Sequence, residues 1–219
     1  SDRKSTRLGN GYFVTERVEY LTGDEVLFAE ALITYFQYQP ATDTVDEESD
    51  SVADSAPALQ DSGYPDPDIA GWQPDFNDID PARLSPGDLL PELRIPITHK
   101  LIVGGAIATQ DFIPVHHNLP AAQAAGMPDI FMNILTTSGL SARYLSDWAG
   151  AGSRLRKIKF NLMAPNFPGD VMVMGGEVLG IEASTDEASV TVAFNGRNHQ
   201  GYHTSGTATV ALPAMNTTL

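Results

Sequence analysis

The sequence predicts an α+β fold, in which one long apolar helix is followed by an antiparallel sheet. The long helix is predicted over residues 130–148, because its apolar side chains occur on more than one face, as in a helix that a sheet encloses. Four strands are predicted after it, at residues 154–163, 170–182, 188–197 and 202–212. One helix followed by several closely spaced strands favours an α+β layer over alternating βαβ units.

Two further elements are predicted ahead of the long helix. Residues 97–107, ITHKLIVGGAI, predict a strand in which the glycine pair permits a bulge or a close approach of another backbone. Residues 119–126 predict a short helix that ends at Gly126, with Pro128 just beyond it. We expect these elements, the long helix and the four strands to form one domain over residues 86–219.

The first part of the chain predicts a separate β-hairpin over residues 11–38. Apolar and polar side chains alternate along its first strand, and the segment from Thr22 to Asp24 supplies a turn. An isolated two-stranded hairpin is marginally stable in water, so this one must pack on something larger. We interpret residues 1–39 as a partial β segment of a second domain; an extra hairpin that decorates the downstream domain is the alternative.

Residues 40–85 predict an acidic, proline-rich linker that is largely disordered. From Pro40 to Asp88 the chain has 13 acidic residues and one basic residue, which accounts for most of its net charge of −15. Such a stretch buries too little apolar area to offset the entropy of ordering. Trp72 and Phe76 leave open another use, an acidic interaction tail that aromatic side chains anchor to a partner.

Composition excludes several classes of function. The chain has no cysteine, which excludes disulfides, zinc–thiolate sites and a cysteine nucleophile. Neither part of the chain has the basic stripe that nucleic-acid binding requires. No apolar run reaches membrane length, and no signal-type apolar core follows the basic opening, so we expect a cytoplasmic protein without a membrane partner. Ser1 stands where an initiator Met is expected, which indicates a trimmed or partial chain. The histidines lack metal-ligand spacing, so no metal is expected.

The residues with a chemical signature lie just ahead of the long helix. Asp111 and His116 are five residues apart, and Pro114 between them prevents a regular helix, so the two side chains must converge across a loop. An Asp that polarises water and a His that transfers a proton form a general acid/base pair, which suits hydration or dehydration without metal or cofactor. The spacing alone also fits two ordinary loop residues.

The sequence around this pair resembles the MaoC-like enoyl-CoA hydratases. Their signature runs roughly G-D-x-N-P-L-H-x-D-P ahead of a helix that opens I-A-H-G-M-L-T, and the stretches here read Q-D-F-I-P-V-H-H-N-L-P and I-F-M-N-I-L-T. The first motif is retained at Asp111, Pro114 and His116. Three motif residues are replaced: Ile113 stands in place of the motif Asn, Asn118 in place of the second acid, and Asn133 in place of the glycine at the helix start.

The resemblance implies a hotdog fold, an antiparallel sheet wrapped around a central helix, over about residues 86–213. The phrase LGNGYFVTERVEY near the N-terminus is similar to the strand region of a second, partial hotdog. The run from DFIPVHHN through DIFMNILTTSGLSARYLSDWAG resembles, more closely than the general signature, the smaller MaoC subunit of actinobacterial steroid side-chain enoyl-CoA hydratases. The implied activity is that of a hydro-lyase, which hydrates the double bond of a bulky steroid side-chain 2-enoyl-CoA in cholesterol or steroid catabolism.

The same resemblance assigns roles to individual residues. Asp111 and His116 are the implied catalytic residues, and the motif spacing favours His116 over His117. The main-chain N–H of Asn133 is expected to hold the thioester oxygen as it gains negative charge. Because that donor is main chain, Asn133→Gly is expected to be tolerated. Coenzyme A is part of the substrate, so no separate cofactor is expected.

Binding and assembly remain open at this level. One basic cluster could meet the phosphates of coenzyme A or could be a solvated face: Arg154, Arg156, Lys157 and Lys159. A single hotdog leaves a sheet edge open, so we expect a homo-oligomer or a hetero-oligomer with another MaoC-like chain. The alternatives to the hydratase are a non-catalytic acyl-CoA-binding or scaffold subunit and an acyl-CoA thioesterase.

Overall fold

The structure is a computed structural model that describes residues 3–6, 9–40 and 77–214 of the 219-residue chain. The chain forms two compact units, one within residues 1–58 and one within residues 59–219. Most of the predicted acidic linker, with Trp72 and Phe76, lies outside the described residues.

The first unit is a three-stranded antiparallel sheet in the order β1-β2-β3. Its strands are β1 (Lys4–Thr6), β2 (Gly9–Leu21) and β3 (Leu27–Pro40). The predicted hairpin is confirmed, and the short strand β1 is an addition to it. In the register of the hairpin, Val14 lies opposite Tyr35 and Val18 lies opposite Ala31. Directly opposite residues share a face, so one face of this sheet is largely apolar.

The second unit contains a five-stranded antiparallel sheet in the order β4-β6-β7-β8-β5. Its strands are β4 (Leu89–Pro96), β5 (Arg154–Leu162), β6 (Val171–Ala183), β7 (Glu187–Asn198) and β8 (Gly201–Pro213). The four strands predicted after the long helix are confirmed to within one residue at each end. Along β7 every second residue from Ala188 to Gly196 is buried, which is the period of a sheet with one covered face.

Helix α3 (Ile134–Ala149) covers that face. Its buried side chains Tyr144, Leu145 and Ala149 belong to one core together with apolar side chains of β4, β6, β7 and β8. The phenol of Tyr144 donates a hydrogen bond to the carbonyl of Pro91, at 2.9 Å. An antiparallel sheet around one central helix is the hotdog arrangement.

The long helix begins four residues later than residue 130, where the sequence pattern starts. Asn133 is its N-cap, with extended backbone angles of φ −78° and ψ 161°. Just before it, the main-chain N–H of Met132 donates to the carbonyl of Asn166, at 3.1 Å. The apolar residues 130–132 extend the hydrophobic pattern upstream of the helix. They are not helical, and the backbone there bonds to another loop instead.

The predicted strand at residues 97–107 is wrong, because this segment forms helix α1 (His99–Ala108). The hydroxyl of Thr98 caps it by accepting from the N–H of Leu101, at 3.0 Å. The buried residues Ile102 and Ala106 are four apart, which is a helical spacing. At Gly105 an added Cβ would lie 2.2 Å from the hydroxyl oxygen of Thr136, so this glycine serves a close approach of two helices instead of a bulge.

The segment between α1 and α3 is built from short turns. A 3₁₀ turn spans Pro114–His116, and helix α2 spans Leu119–Ala124 with Asn118 as its N-cap. Gly126, with φ of 81°, follows this helix, as the sequence predicts. Among the described residues, no helix is both long and apolar enough to cross a membrane.

Candidate active site

The loop after α1 brings Asp111 and His116 together. Asp111 is held at the end of α1, where its main-chain N–H donates to the carbonyl of Ala106, at 2.9 Å. The 3₁₀ turn at Pro114 then reverses the chain, with the N–H of His116 donating to the carbonyl of Ile113, at 3.1 Å. Two residues five apart in sequence therefore face each other, as the proline between them indicates.

The two side chains form a close pair in a nearly enclosed position. Nε2 of His116 lies 3.6 Å from Oδ2 of Asp111, and the exposed fractions of the two side chains are 8% and 15%. Nδ1 of His116 lies 2.7 Å from the carbonyl oxygen of Phe131. Because a carbonyl only accepts, Nδ1 carries the hydrogen and Nε2 is the nitrogen directed at Asp111. In neutral histidine Nε2 accepts, so a water molecule could donate to both groups.

Asn133 joins this pair from the start of α3. Its Nδ2 donates to Oδ2 of Asp111, at 2.9 Å, and to the hydroxyl of Thr109, at 2.8 Å. Its Oδ1 accepts from the N–H of Thr136, at 3.0 Å, and the residue is only 2% exposed. The sequence motif singles out this position for its main chain and misses the side-chain contacts. The one signal in the sequence that could have suggested them is an Asn at a helix start, just after the loop that holds Asp111 and His116.

His117 has a different environment from its neighbour. Its Nε2 lies 3.2 Å from the carbonyl oxygen of Phe112 in an exposed position. The structure therefore brings His116, and not His117, to Asp111.

A further histidine, His203, is buried beside α3. Its Nε2 lies 2.9 Å from the hydroxyl of Thr137, and its Nδ1 lies 2.6 Å from the carbonyl oxygen of Ala164. Burial lowers the pKa of His203, while the hydrogen bond to Ala164 and the charge of Asp170 act in the opposite direction. Nothing in its spacing distinguishes this histidine from a surface residue of β8.

The predicted basic cluster lies on β5, at one edge of the sheet. Glu187 lies 3.2 Å from a guanidinium nitrogen of Arg154 and 3.0 Å from one of Arg156. The register with β8 shifts between Leu155 and Lys157. Because Glu187 contacts both arginines, their charges are partly neutralised. Binding of coenzyme A by this cluster stays a prediction.

The turn NFPGD at residues 166–170 has a visible structural role. Oδ2 of Asp170 accepts from the N–H of Phe167, at 2.9 Å, and its Oδ1 is hydrogen-bonded to Nδ1 of His199. Within the described part of the chain, no group of three or more His, Asp or Glu side chains could hold a metal ion.

Known proteins share this arrangement of sheet and helix. Residues 86–198 match the MaoC-like domain. The chain is 38% identical over 126 residues to the 3-oxo-4,17-pregnadiene-20-carboxyl-CoA hydratase beta subunit of Mycobacterium tuberculosis, which covers 58% of this chain and 95% of that protein.

Solved structures agree. A chain in the crystal structure of the ChsH1–ChsH2 complex from M. tuberculosis is similar, with a TM-score of 0.56 and 38% identity over 58% of this chain and 98% of that one. The R-hydratase PhaJ1 from Pseudomonas aeruginosa has a TM-score of 0.54 at 22% identity, over 62% of this chain and 86% of that one, a likeness of fold alone.

Proposed function

Because the chain belongs to the MaoC-like domain family, we propose that it is a 2-enoyl-CoA hydratase that adds water across the α,β double bond of an acyl-CoA thioester. The observation that carries this proposal is the pair of Asp111 and His116, 3.6 Å apart and largely shielded from solvent. The hydrogen bond of Nδ1 of His116 to the carbonyl of Phe131 keeps Nε2 directed at the space where water would react.

The proposed reaction moves one proton from the water molecule to the substrate. Asp111 accepts a hydrogen of the water molecule and removes it as the oxygen attacks Cβ of the substrate. The proton then passes from Asp111 to the unprotonated Nε2 of His116, which delivers it to Cα, so Asp111 ends as a carboxylate and His116 as a neutral imidazole. The net result is a hydroxyl group on Cβ and a hydrogen on Cα, and neither residue is consumed.

The thioester oxygen gains negative charge as the enolate forms. In the proposal, the main-chain N–H of Asn133, at the start of α3, donates to this oxygen. The positive end of the helix dipole supports the same charge. Four exposed apolar side chains flank the catalytic loop and the helix start and are available to contact an acyl group: Phe112, Ile113, Ile134 and Leu135.

For the substrate we propose a bulky, steroid-like acyl group. The support is the 38% identity to a subunit whose name specifies a pregnadiene carboxyl-CoA hydratase. In this proposal the first unit is part of an incomplete second hotdog.

For assembly we propose an oligomer with a second copy or with another MaoC-like chain. The similar chain of known structure was solved in a complex of ChsH1 with ChsH2. Strands β4 and β5 are the outer strands of the five-stranded sheet. Outer strands present unpaired main-chain groups that favour association. Sedimentation of the purified protein as a fully active monomer would contradict this proposal.

The catalytic proposal is tested by following enoyl-thioester absorbance together with free thiol. A hydratase removes the absorbance without releasing thiol, whereas a thioesterase releases coenzyme A from saturated thioesters. We expect Asp111→Asn and His116→Ala to lower turnover roughly 10²- to 10⁴-fold, the usual contribution of general acid/base groups. His117→Ala is the matched control, since His117 is the adjacent, exposed histidine. Equal rates in wild type and folded Asp111→Asn protein would remove Asp111 from the mechanism, and absence of hydration by the wild type would favour the non-catalytic scaffold.

A further inference from the structure

The side-chain amide of Asn133 has a settled orientation. The N–H of Thr136 can only donate, so the atom of Asn133 that faces it must be the oxygen. The NH2 group then faces Asp111 and Thr109, to each of which it gives one hydrogen. Both hydrogens of the NH2 group and one of the two lone pairs of the oxygen are therefore bonded to protein partners.

These contacts tie three elements to one carboxylate. The hydroxyl of Thr109 donates to the carbonyl of Gly105 in α1, at 2.8 Å, and is therefore able to accept from Asn133. Thr136 lies in the first turn of α3 and is in close contact with Gly105. The end of α1, the start of α3 and the catalytic loop thus share one buried amide. Asp111 cannot rotate without breaking its bond to that amide.

We propose that Asn133 is a positioning residue, whose side chain holds the carboxylate of Asp111 in the orientation that deprotonates water. The inference rests on the proposed hydration. It also connects two departures from the sequence motif: the motif amide is absent at Ile113, and an amide stands at Asn133, where the motif has glycine. If Asn133 acted only through its main-chain N–H, Asn133→Gly would be tolerated. Because we propose that the side chain positions Asp111, we expect Asn133→Gly to lower turnover.

The first test separates positioning from capping. In Asn133→Ser the hydroxyl can still cap α3, but the two-hydrogen donor to Asp111 and Thr109 is lost. We expect kcat to fall roughly 10- to 100-fold, the range for a lost hydrogen bond to a charged group, with little change in KM. Asn118→Ser is the matched control, because Asn118 caps α2 through the same kind of bond, to the N–H of Ala121 at 3.0 Å. It should retain the wild-type kcat.

A double-mutant cycle gives the second test. In an Asp111→Asn background, Asn133→Ser should lower kcat no further, because the group to be positioned is already gone. An equal loss in both backgrounds would show a general structural role and would overturn the inference. Wild-type kcat in Asn133→Ser would overturn it as well, while leaving the proposed hydration intact.

A measurement that does not depend on turnover distinguishes failure of the positioning role from failure of the proposed hydration. If the wild-type protein hydrates no enoyl-CoA, the proposed function fails, and the side-chain NH2 signals of Asn133 are then followed by ¹⁵N NMR. The inference expects these signals to shift in Asp111→Ala, which removes the acceptor, and to stay unchanged in Asp129→Ala, a carboxylate whose oxygens contact Ile130 and His99 instead. Unchanged signals in Asp111→Ala would overturn it.

Discussion

The two sheets of this chain have similar sequence patterns and very different burial. In the second unit, Val190, Val192 and Phe194 on β7 are at most 2% exposed. In the first unit, β2 also alternates, yet Tyr12 is 45% exposed and Tyr20 is 52% exposed on its apolar face. Both sheets contain a long antiparallel hairpin. Strand pairing therefore does not account for the difference.

The difference lies in the helix. In the second unit α3 supplies Tyr144, Leu145 and Ala149 to the core and removes the facing strands from water. The described residues of the first unit form strands only. Alternation thus decides which face of a sheet is apolar, but burial depends on the element that covers that face. Burial stabilises the fold by about 25 cal/mol per Å² of apolar surface removed from water.

The largest effect on stability is expected from a pair of leucine truncations that measures this difference. Leu145→Ala removes a fully buried side chain from α3 and should cost about 2–5 kcal/mol in the free energy of unfolding. Leu32→Ala on β3 removes a side chain that is 61% exposed and should change it by less than about 0.5 kcal/mol. Denaturant unfolding measures both. Leu32 lies opposite Arg17, on the other face of the first sheet from Tyr12 and Tyr20, so a cost at Leu32 close to that at Leu145 would mean that a further surface covers that face.

The sequence predicts the sheets better than the helices, for a physical reason. Strand period and turn residues are local, and the four later strands match to within one residue. The sequence pattern does not indicate helix α1, because its β-branched residues favour strands and its paired glycines weaken a helix. Gly105 is explained by its contact with Thr136, 31 residues further along the chain. The start of α3 was displaced because apolar residues 130–132 continue the pattern into a loop.

The candidate site shows the same division between local and distant information. Asp111 and His116 lie within one motif, so the loop that joins them could be read from the sequence, and the proline predicted their convergence. The amide of Asn133 reaches Asp111 across 22 residues, and His203 reaches Thr137 across 66. Contacts of this kind follow from the packing of α3 on the sheet, which no single segment encodes.

A glycine pair in α1 gives a smaller and equally direct test of how the helices cover the second sheet. Gly105→Ala would force a methyl group against Thr136, and overpacking of this kind costs about 1–3 kcal/mol. At the adjacent Gly104, an added Cβ would meet nothing within 4 Å. Gly104→Ala should therefore stabilise by up to about 1 kcal/mol through helix propensity. Thermal unfolding compares the two, and equal effects would remove the close helix contact from the explanation.

The smallest effect concerns pH and again separates the two units, because all five histidines lie in the second. Burial lowers the pKa of His203 in the folded protein, so the unfolded chain takes up this proton first as the pH falls. The stability that neutral His203 contributes is fully present above the ordinary histidine pKa of about 6.5 and is lost as the pH falls through the folded value. One proton contributes a slope of at most about 1.4 kcal/mol per pH unit.

His203→Gln removes this titration, so the free energy of unfolding of the wild type should fall more steeply with acidification than that of the variant. Denaturant unfolding at a series of pH values between about 7 and 5 measures both slopes, and titrations common to the two proteins cancel in the difference. Parallel slopes in wild type and His203→Gln would show that His203 is not held neutral by α3 and the sheet.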